Sequence, residues 1–520
     1  MLPTQHWARS FTVNAEDIEH ITNLLLEKET PLSTYQLAHV LVEGRLAQEV
    51  AALEERYKDA RFYNPAESYD VGQKLVFPAM DYATAQVTAV REGANTDYGA
   101  FNVIAVQFED NGHEAREFAS ALTVEHKLSQ ADGGSAQASL DQLTPEEIIE
   151  QAGDVIVDTL ATHLREKSDL IHLAGKWFPI DLILDVNEGH LNLAEAVLDI
   201  YGGTPMPTST ILNEMGGLGA SHISLQEFSM NYALNDDKRF DEVGPSGEVL
   251  WTLTRMEPDG VQRVPELLQY KPIDHDRAML SEEMLSLEAE IADELSPLDA
   301  ARNINKGTVT LNYAHRRAGT LPLSWRVMDL FPTAKTTERI WVTLIDAQDD
   351  EAFPGWVVRE ERYVYGLAPL YAKYALPIGA HVVVRRGEEP GQIIIDLDTY
   401  KARSEWIPLL QRKGEQFGFE TSKRAIGADY DDLMILGIDE LEAIDELVAT
   451  TRKQRQTITA MMKMLIPGIA QLNPQGTAHV KSIYSALNVL RRCPPGPLMA
   501  TLVANPDFEY VGDNYWKLAD

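Results

Sequence analysis

The sequence predicts an α+β multi-domain chain made of repeated winged-helix modules, a small SH3-like β-barrel and a larger β-rich domain. Three observations carry this. Helical apolar stripes followed by two short strands recur along the chain. Residues 72–122 alternate apolar and polar positions between turns, and residues 306–400 hold closely spaced β-branched and aromatic runs. At about 100–200 residues per domain, the 520-residue chain is long enough for three to five domains. With 44% hydrophobic and 24% charged residues, it has apolar material for several modest cores.

The first module is expected over residues 1–77. Helices are predicted over Ile18–Leu26, Ser33–Val42 and Gln48–Tyr57, then a hairpin whose strands hold Arg61-Phe62-Tyr63 and Lys74-Leu75-Val76-Phe77. The small barrel is expected over 78–127, with turns at Gly93-Ala94-Asn95 and Asp110-Asn111-Gly112. The polar stretch Leu128–Ser139 reads as a linker. Residues 144–185 read as a partial module, with one long helix before the hairpin at Leu170–Phe178.

Residues 190–256 form the clearest module. Leu191, Ala194, Val197, Leu198 and Tyr201 lie on one helical stripe, which Gly202-Gly203-Thr204-Pro205 ends. Thr208-Ser209-Thr210 can cap a second helix, and Leu225, Phe228 and Tyr232 stripe a third. A hairpin follows, from Arg239-Phe240 through Val243-Gly244 to Trp251-Thr252-Leu253. Such a hairpin is marginal alone in water, so it must lie on the helices. Residues 265–300 read as an acidic helical connector and 428–456 as a second one. The last module spans 457–520, with helices over Ile458–Ile469, Val480–Leu490 and Pro497–Val503 and a hairpin ending at Tyr515-Trp516-Lys517-Leu518.

The stretch from Phe228 to Leu253 resembles the third helix and wing of HARE-type winged helices, the fold of the bacterial RNA polymerase delta subunit. The shared features are the acidic turn, Arg239-Phe240, the Val243-Gly244 turn and the Trp251-x-Leu253 return. The resemblance implies a transcription-associated role, with RNA polymerase as a protein partner.

Residues 304–400 run strand, helix, three strands, helix, strand, strand, with the first helix expected from Leu321-Pro322 toward Phe331-Pro332. This order, and the run Leu376-Pro377-Ile378-Gly379-Ala380-His381-Val382-Val383-Val384, resemble the DNA-binding pseudobarrel of plant "B-three"-type transcription factors and related restriction-enzyme effector domains. That family usually carries an acidic residue where this chain has Ala380. The resemblance implies that two arms grip DNA. The first would hold His315, Arg316, Arg317 and Thr320, and the second Arg359, Arg362 and Tyr363. An arginine fork can meet a phosphate or a guanine edge with two parallel hydrogen bonds. The bland alternative is a solvated face paired with Glu360 and Glu361.

The formal charge is −35, unfavourable for a polyanion ligand. Its distribution matters more. Residues 1–300 hold 19 Lys+Arg and 53 Asp+Glu, residues 301–425 hold 18 and 15, and residues 426–520 hold 8 and 12. The basic option is therefore in 301–425, and the acidic modules are better suited to protein contact. The helix Leu225–Leu234 offers no Lys or Arg, whereas Lys481, Arg491 and Arg492 leave a modest basic option in the last module.

No phosphate-binding G-x-x-x-x-G-K-[ST] and no G-x-S-x-G elbow is present. The single Cys493 excludes a disulfide within the chain and any multi-thiolate zinc site. No cofactor, metal or small-molecule substrate is expected. The start lacks the pattern of a secretion signal, and no run of about 18 apolar residues occurs, so a cytoplasmic protein away from membranes is expected. The expectation is a non-enzymatic DNA-binding or transcription-associated protein. The alternatives are an acidic protein–protein adaptor without nucleic-acid contact, and an accessory subunit of a nucleic-acid-processing enzyme.

Overall fold

A computed structural model describes residues 11–77, 80, 82–95, 99–109, 115–124, 144–219, 221–334 and 337–519. The chain is α+β with several separate sheets. It forms two compact units, residues 1–185 with 218–232, and residues 186–217 with 233–520.

In the first unit, an Asn14–Asp17 capping box opens helix Ala15–Lys28. Strand Leu32–Ser33 leads into helix Thr34–Arg56, which absorbs two helices that the sequence reading kept apart. No proline or paired glycine interrupts it, and Leu37 and Leu41 keep one face buried. Thr144 and Glu147 cap helix Pro145–Arg165, which carries Pro145 in its first turn. The hairpin Leu170–Leu173 with Lys176–Pro179 follows.

These pieces share one core. Ile21, Leu25, Leu37 and Leu41 meet Ile148, Ile156, Leu160 and Trp177. Leu32 and Ser33 pair antiparallel with Trp177 and Lys176, and the Trp177 indole N–H donates to Thr34 Oγ1 at 2.9 Å. The expected module over 1–77 and the partial one over 144–185 are thus two parts of a single three-helix body. The two helices missing before Pro145–Arg165 are those at 15–56.

A five-stranded sheet is inserted between them. Its strands Arg61–Phe62, Lys74–Phe77, Ala83–Glu92, Asn102–Phe108 and Arg116–Ser120 pair in linear order. The expected hairpin over 61–77 is corrected here. Arg61 and Phe62 run parallel to Leu75 and Val76 and open this sheet rather than closing the first module. Tyr63, Phe77, Phe108 and Phe118 cluster within it, which explains the aromatic spacing. The expected turn at Asp110-Asn111-Gly112 and the linker Leu128–Ser139 lie outside the described residues.

The second unit opens with helix Glu188–Ile200, strand Met206–Pro207 and helix Thr208–Met215. The hairpin Phe240–Glu242 with Leu250–Leu253 takes Met206–Pro207 as a third strand. A nearly closed seven-stranded sheet follows. In spatial order it holds Lys306–Thr310, His381–Arg386, Gln392–Asp396, Arg339–Asp346, Ala352–Val358, Tyr363–Tyr365 and Thr320–Pro322. Leu311, Leu321, Val342, Leu344, Val357 and Val384 are buried in its core.

The helix expected from Leu321-Pro322 is instead the strand Thr320–Pro322, paired with Tyr363–Tyr365. The helix comes earlier, over Tyr313–Ala318. It ends at Gly319 (φ +66°), where a Cβ would meet Ala368 Cβ at 2.4 Å, so only glycine fits the close turn that feeds Thr320 into the sheet.

Both expected connectors prove to be core elements. Helix Glu282–Ile291 buries Met284, Leu287 and Ile291 against the helices Ile458–Ala470, Val480–Leu490 and Pro495–Ala504. Helix Leu441–Lys453 buries Ile444 and Val448 in the same core. The chain ends in the hairpin Phe508–Gly512 with Tyr515–Leu518, with Ala478–His479 as its third strand.

A buried ionic network crosses this unit. Arg492, fully buried, donates to Asp293 and Glu294, each at 2.6 Å. Tyr484 Oη donates to Asp293 at 2.5 Å, and Asn312 Nδ2 donates to Tyr484 Oη at 3.1 Å. His315 Nε2 lies 3.2 Å from Glu294. Burial pushes the Glu294 carboxyl up, but Arg492 and His315 overcome it and hold the group well below the usual carboxylate range. Glu294 therefore contributes stability above about pH 4.3, the ordinary glutamate value, and that contribution is lost as pH falls toward its folded value. Arg492→Ala leaves two buried carboxylates without their cation. It is expected to cost about 3–5 kcal/mol in urea unfolding at neutral pH.

A second clasp joins the Phe240–Glu242 hairpin to the barrel. The Trp341 N–H donates to Val243 O at 2.8 Å. Arg339 reaches Glu257 at 2.8 Å and lies 3.9 Å from Asp241. Burial, then the facing Asp241, push the Glu257 carboxyl up to about 8, against the pull of Arg339. A raised carboxyl holds its proton when folded and releases it when unfolded. Stability therefore falls as pH rises from about 4.3 toward 8. Glu257→Gln removes that slope, so the melting temperature of the variant relative to the parent chain is expected to be more favourable at pH 8 than at pH 5.

Candidate nucleic-acid interface

The seven expected DNA-contact residues are buried or tied to other parts of the chain. His315 lies on helix Tyr313–Ala318, not on an arm, and is fully buried with Nδ1 2.9 Å from Thr320 Oγ1. Thr320 is equally buried, and its carbonyl accepts from Tyr371 Oη. Arg316 donates to Leu376 O at 2.5 Å and lies over the Tyr371 ring. Arg317 pairs with Asp445 and with Tyr313 Oη. Arg359 donates to Pro332 O at 2.8 Å, and Arg362 to Glu294 O at 2.9 Å. Tyr363 is buried and donates to Gly260 O at 2.8 Å. The expected pairing with Glu360 and Glu361 is not formed either. Arg316, Arg359 and Arg362 hold backbone carbonyls, partners that a residue list cannot reveal.

Two of the three residues of the basic option in the last module, Lys481 and Arg492 but not Arg491, are engaged in the same way. Lys481 pairs with Glu290 and Asp431, each contact near 2.5 Å, and Arg492 belongs to the buried network. Helix Pro495–Ala504, third in its module, buries Pro495, Leu498, Met499, Ala500 and Leu502. It cannot enter a groove while folded this way. The third helix of the first unit, Pro145–Arg165, exposes Glu146, Glu147, Glu150, Asp154 and Asp158, which repel phosphate.

A different element supplies an open basic surface, one that the sequence reading left unassigned. Strands Thr399–Lys413 and Gln416–Ala428 form a long antiparallel ribbon with its turn at Gly414-Glu415. Gly414 has φ +64°, and a two-residue loop opening on glycine is a hairpin signal that was available in the sequence. The half near the turn is anchored. Leu409 and Leu410 are buried, and Phe419 lies under helix Ile458–Ala470 at Gly468.

The other half buries Ile407 and Ile426 on one face and leaves the opposite face open. Trp406 is 64% exposed and lies directly opposite Lys423, whose Nζ sits 5.1 Å from the indole centroid. Ser404, Thr421 and Ala425 flank them on the same face, all exposed and small. Arg403 lies over the Tyr400 ring at 5.3 Å. Residues 399–428 hold six Lys+Arg and three Asp+Glu. Among the described residues, no carboxylate lies within 4.0 Å of Lys401, Arg403 or Lys423, whereas Arg424 pairs with Asp439. The base of the ribbon is more acidic. Burial, then Asp429 and Glu405, push the Tyr400 phenol up.

Asp346, Asp349 and Glu351 converge on Lys373 Nζ, so this acidic group neutralises one lysine. Among the described residues, no group of three His, Cys, Asp or Glu side chains could hold a metal ion, and no helix is long and apolar enough to cross a membrane. No known protein family, curated protein or solved structure matches the chain.

The Arg359 and Arg362 bonds give a direct check on the corrected roles. Arg359→Ala and Arg362→Ala remove the hydrogen bonds to the half-buried Pro332 carbonyl and to the carbonyl of buried Glu294. They are expected to cost about 1–3 kcal/mol in thermal or urea unfolding. Neither should change the affinity of the full chain for an oligonucleotide measured by fluorescence anisotropy.

Proposed function

We propose that this chain is a non-enzymatic, nucleic-acid-associated binding protein whose contact surface is the open half of the 399–428 ribbon. In this reading the helix-and-hairpin bodies are winged-helix modules and the seven-stranded sheet is a pseudobarrel. They act as scaffold and as protein-contact surfaces. One observation carries the proposal. The exposed Trp406 stands opposite Lys423, and Lys401 and Arg403 lie further along the same strand, three cations without carboxylate partners on a chain of net charge −35. Free ammonium and guanidinium groups release counterions from phosphate.

A second reading rests on the acidic exposed face of Pro145–Arg165, which suits a basic protein partner. In that reading the chain is an adaptor, with RNA polymerase a candidate by the delta-subunit resemblance.

The test is anisotropy of a labelled oligonucleotide with the full chain across a salt series. Binding should weaken as salt rises. The triple variant Lys401→Gln/Arg403→Gln/Lys423→Gln should lower the slope of log affinity against log salt by about 2 to 3, at roughly 0.7–0.9 per lost phosphate contact. No binding at low salt, or an unchanged slope, rejects the ribbon and favours the adaptor.

A further inference from the structure

The ribbon presents more than charge. Along Thr399–Lys413, Trp406, Pro408 and Leu410 point to one face, opposite Lys423, Thr421 and Phe419. The indole therefore begins a surface that continues, two residues on, to Pro408. Pro408 and Phe419 line a cavity of about 170 Å³, bounded further by Asp432, Asn473, Thr477 and His479. The wall combines apolar surface with a carboxylate, an amide, a hydroxyl and an imidazole. Burial, then Lys481, push the His479 imidazole below its ordinary value. Its Nδ1 accepts the Lys481 N–H at 3.1 Å, so the neutral ring carries its proton on Nε2.

We infer that the ligand of this surface is single-stranded nucleic acid, with one unstacked base lying on Trp406 and the adjoining cavity admitting the edge of a neighbouring base. This rests on the reading of the ribbon as a nucleic-acid contact and specifies its substrate class. Two features favour a single strand over a duplex. A flat indole, 64% exposed and flanked by Ser404, Thr421 and Ala425, offers a stacking platform that paired bases cannot reach. A cavity with both donors and acceptors suits a base edge, which only an unpaired nucleotide can insert. Lys423, 5.1 Å from the indole centroid, supplies the nearest backbone contact, with Lys401 and Arg403 further along the ribbon.

The experiment uses the full chain and three labelled probes: a 20-nucleotide oligo-dT, an abasic strand of the same length, and a 20-base-pair duplex. Anisotropy and tryptophan emission are read at low salt. The expected result is binding of oligo-dT with quenching of indole emission. The chain has eight tryptophans, so quenching is assigned by its loss in Trp406→Phe. Trp406→Ala should weaken oligo-dT by about 5- to 150-fold, the range of one base–aromatic stack. Trp406→Phe should restore most of that loss. The abasic strand should bind more weakly than oligo-dT and be indifferent to Trp406→Ala.

Equal binding of duplex and oligo-dT, with no effect of Trp406→Ala, overturns the single-strand inference while leaving the nucleic-acid reading in place. No binding of any probe overturns both and leaves the ribbon as a protein-docking face. Trp406 is exposed, so its variants should fold, and unchanged urea unfolding would verify that.

Discussion

The Arg492 guanidinium, fully buried between Asp293 and Glu294, is the constraint on which the second unit depends. Burying a cation costs several kcal/mol unless carboxylates and further hydrogen bonds surround it. Here the surrounding groups come from distant parts of the chain: Asp293 and Glu294 follow helix Glu282–Ile291, His315 and Asn312 belong to the barrel, and Tyr484 and Asn488 lie on Val480–Leu490. The network can be satisfied only when the acidic segment, the barrel and the last module come together. An apolar core would tolerate sliding; a paired charge with directed hydrogen bonds fixes register. The cost is functional. Helix Pro495–Ala504 is held with its apolar residues inside, so this module cannot present it to a groove.

That constraint explains where the reading of the sequence went astray. The cation excess of 301–425 is shared between the ribbon, most of which lies in that segment, and the residues His315, Arg316, Arg317, Arg359 and Arg362, whose family-like positions resemble a grip. A residue's identity gives its charge but not its partner. Arg316, Arg359 and Arg362 bind carbonyl oxygens, and every residue carries one of those. The fate of the 265–300 segment has the same cause. Its carboxylates suggest solvent exposure, yet Asp293 and Glu294 are buried because their cation, Arg492, arrives from the last module, while Glu288 pairs with Arg277 of the same segment.

Local patterns were legible where the physics is local. Helix stripes, caps such as Thr144 with Glu147, and the hairpin turns at 240–253 and 508–518 follow from spacing and residue type. The division of the first unit was not. Nothing within 144–185 says which helices complete its core, because an apolar stripe is satisfied by any complementary stripe. Only the pairing of Leu32 with Trp177, across more than a hundred residues, identifies the partner. The ribbon is the opposite case. Gly414 and the alternation on either side of it were readable, but the aromatic and basic residues drew no notice without a catalytic or family pattern around them.

The acidity of the chain bears directly on how such a ribbon could work. With 53 carboxylates against 19 cations in residues 1–300, the long-range field opposes any polyanion. At physiological salt that field decays over about 8 Å, so a strand already touching Lys401, Arg403 and Lys423 senses chiefly the groups at the contact. The approaching strand gains no such relief at low salt, where the field reaches further. Attraction at contact and repulsion at a distance therefore pull the salt dependence in opposite directions. The contact attraction is the stronger of the two, so binding still weakens as salt rises, with a shallower slope than for a uniformly basic protein. Stacking on Trp406 is insensitive to ionic strength, and it is the one contribution that would hold the ligand while both electrostatic effects fade.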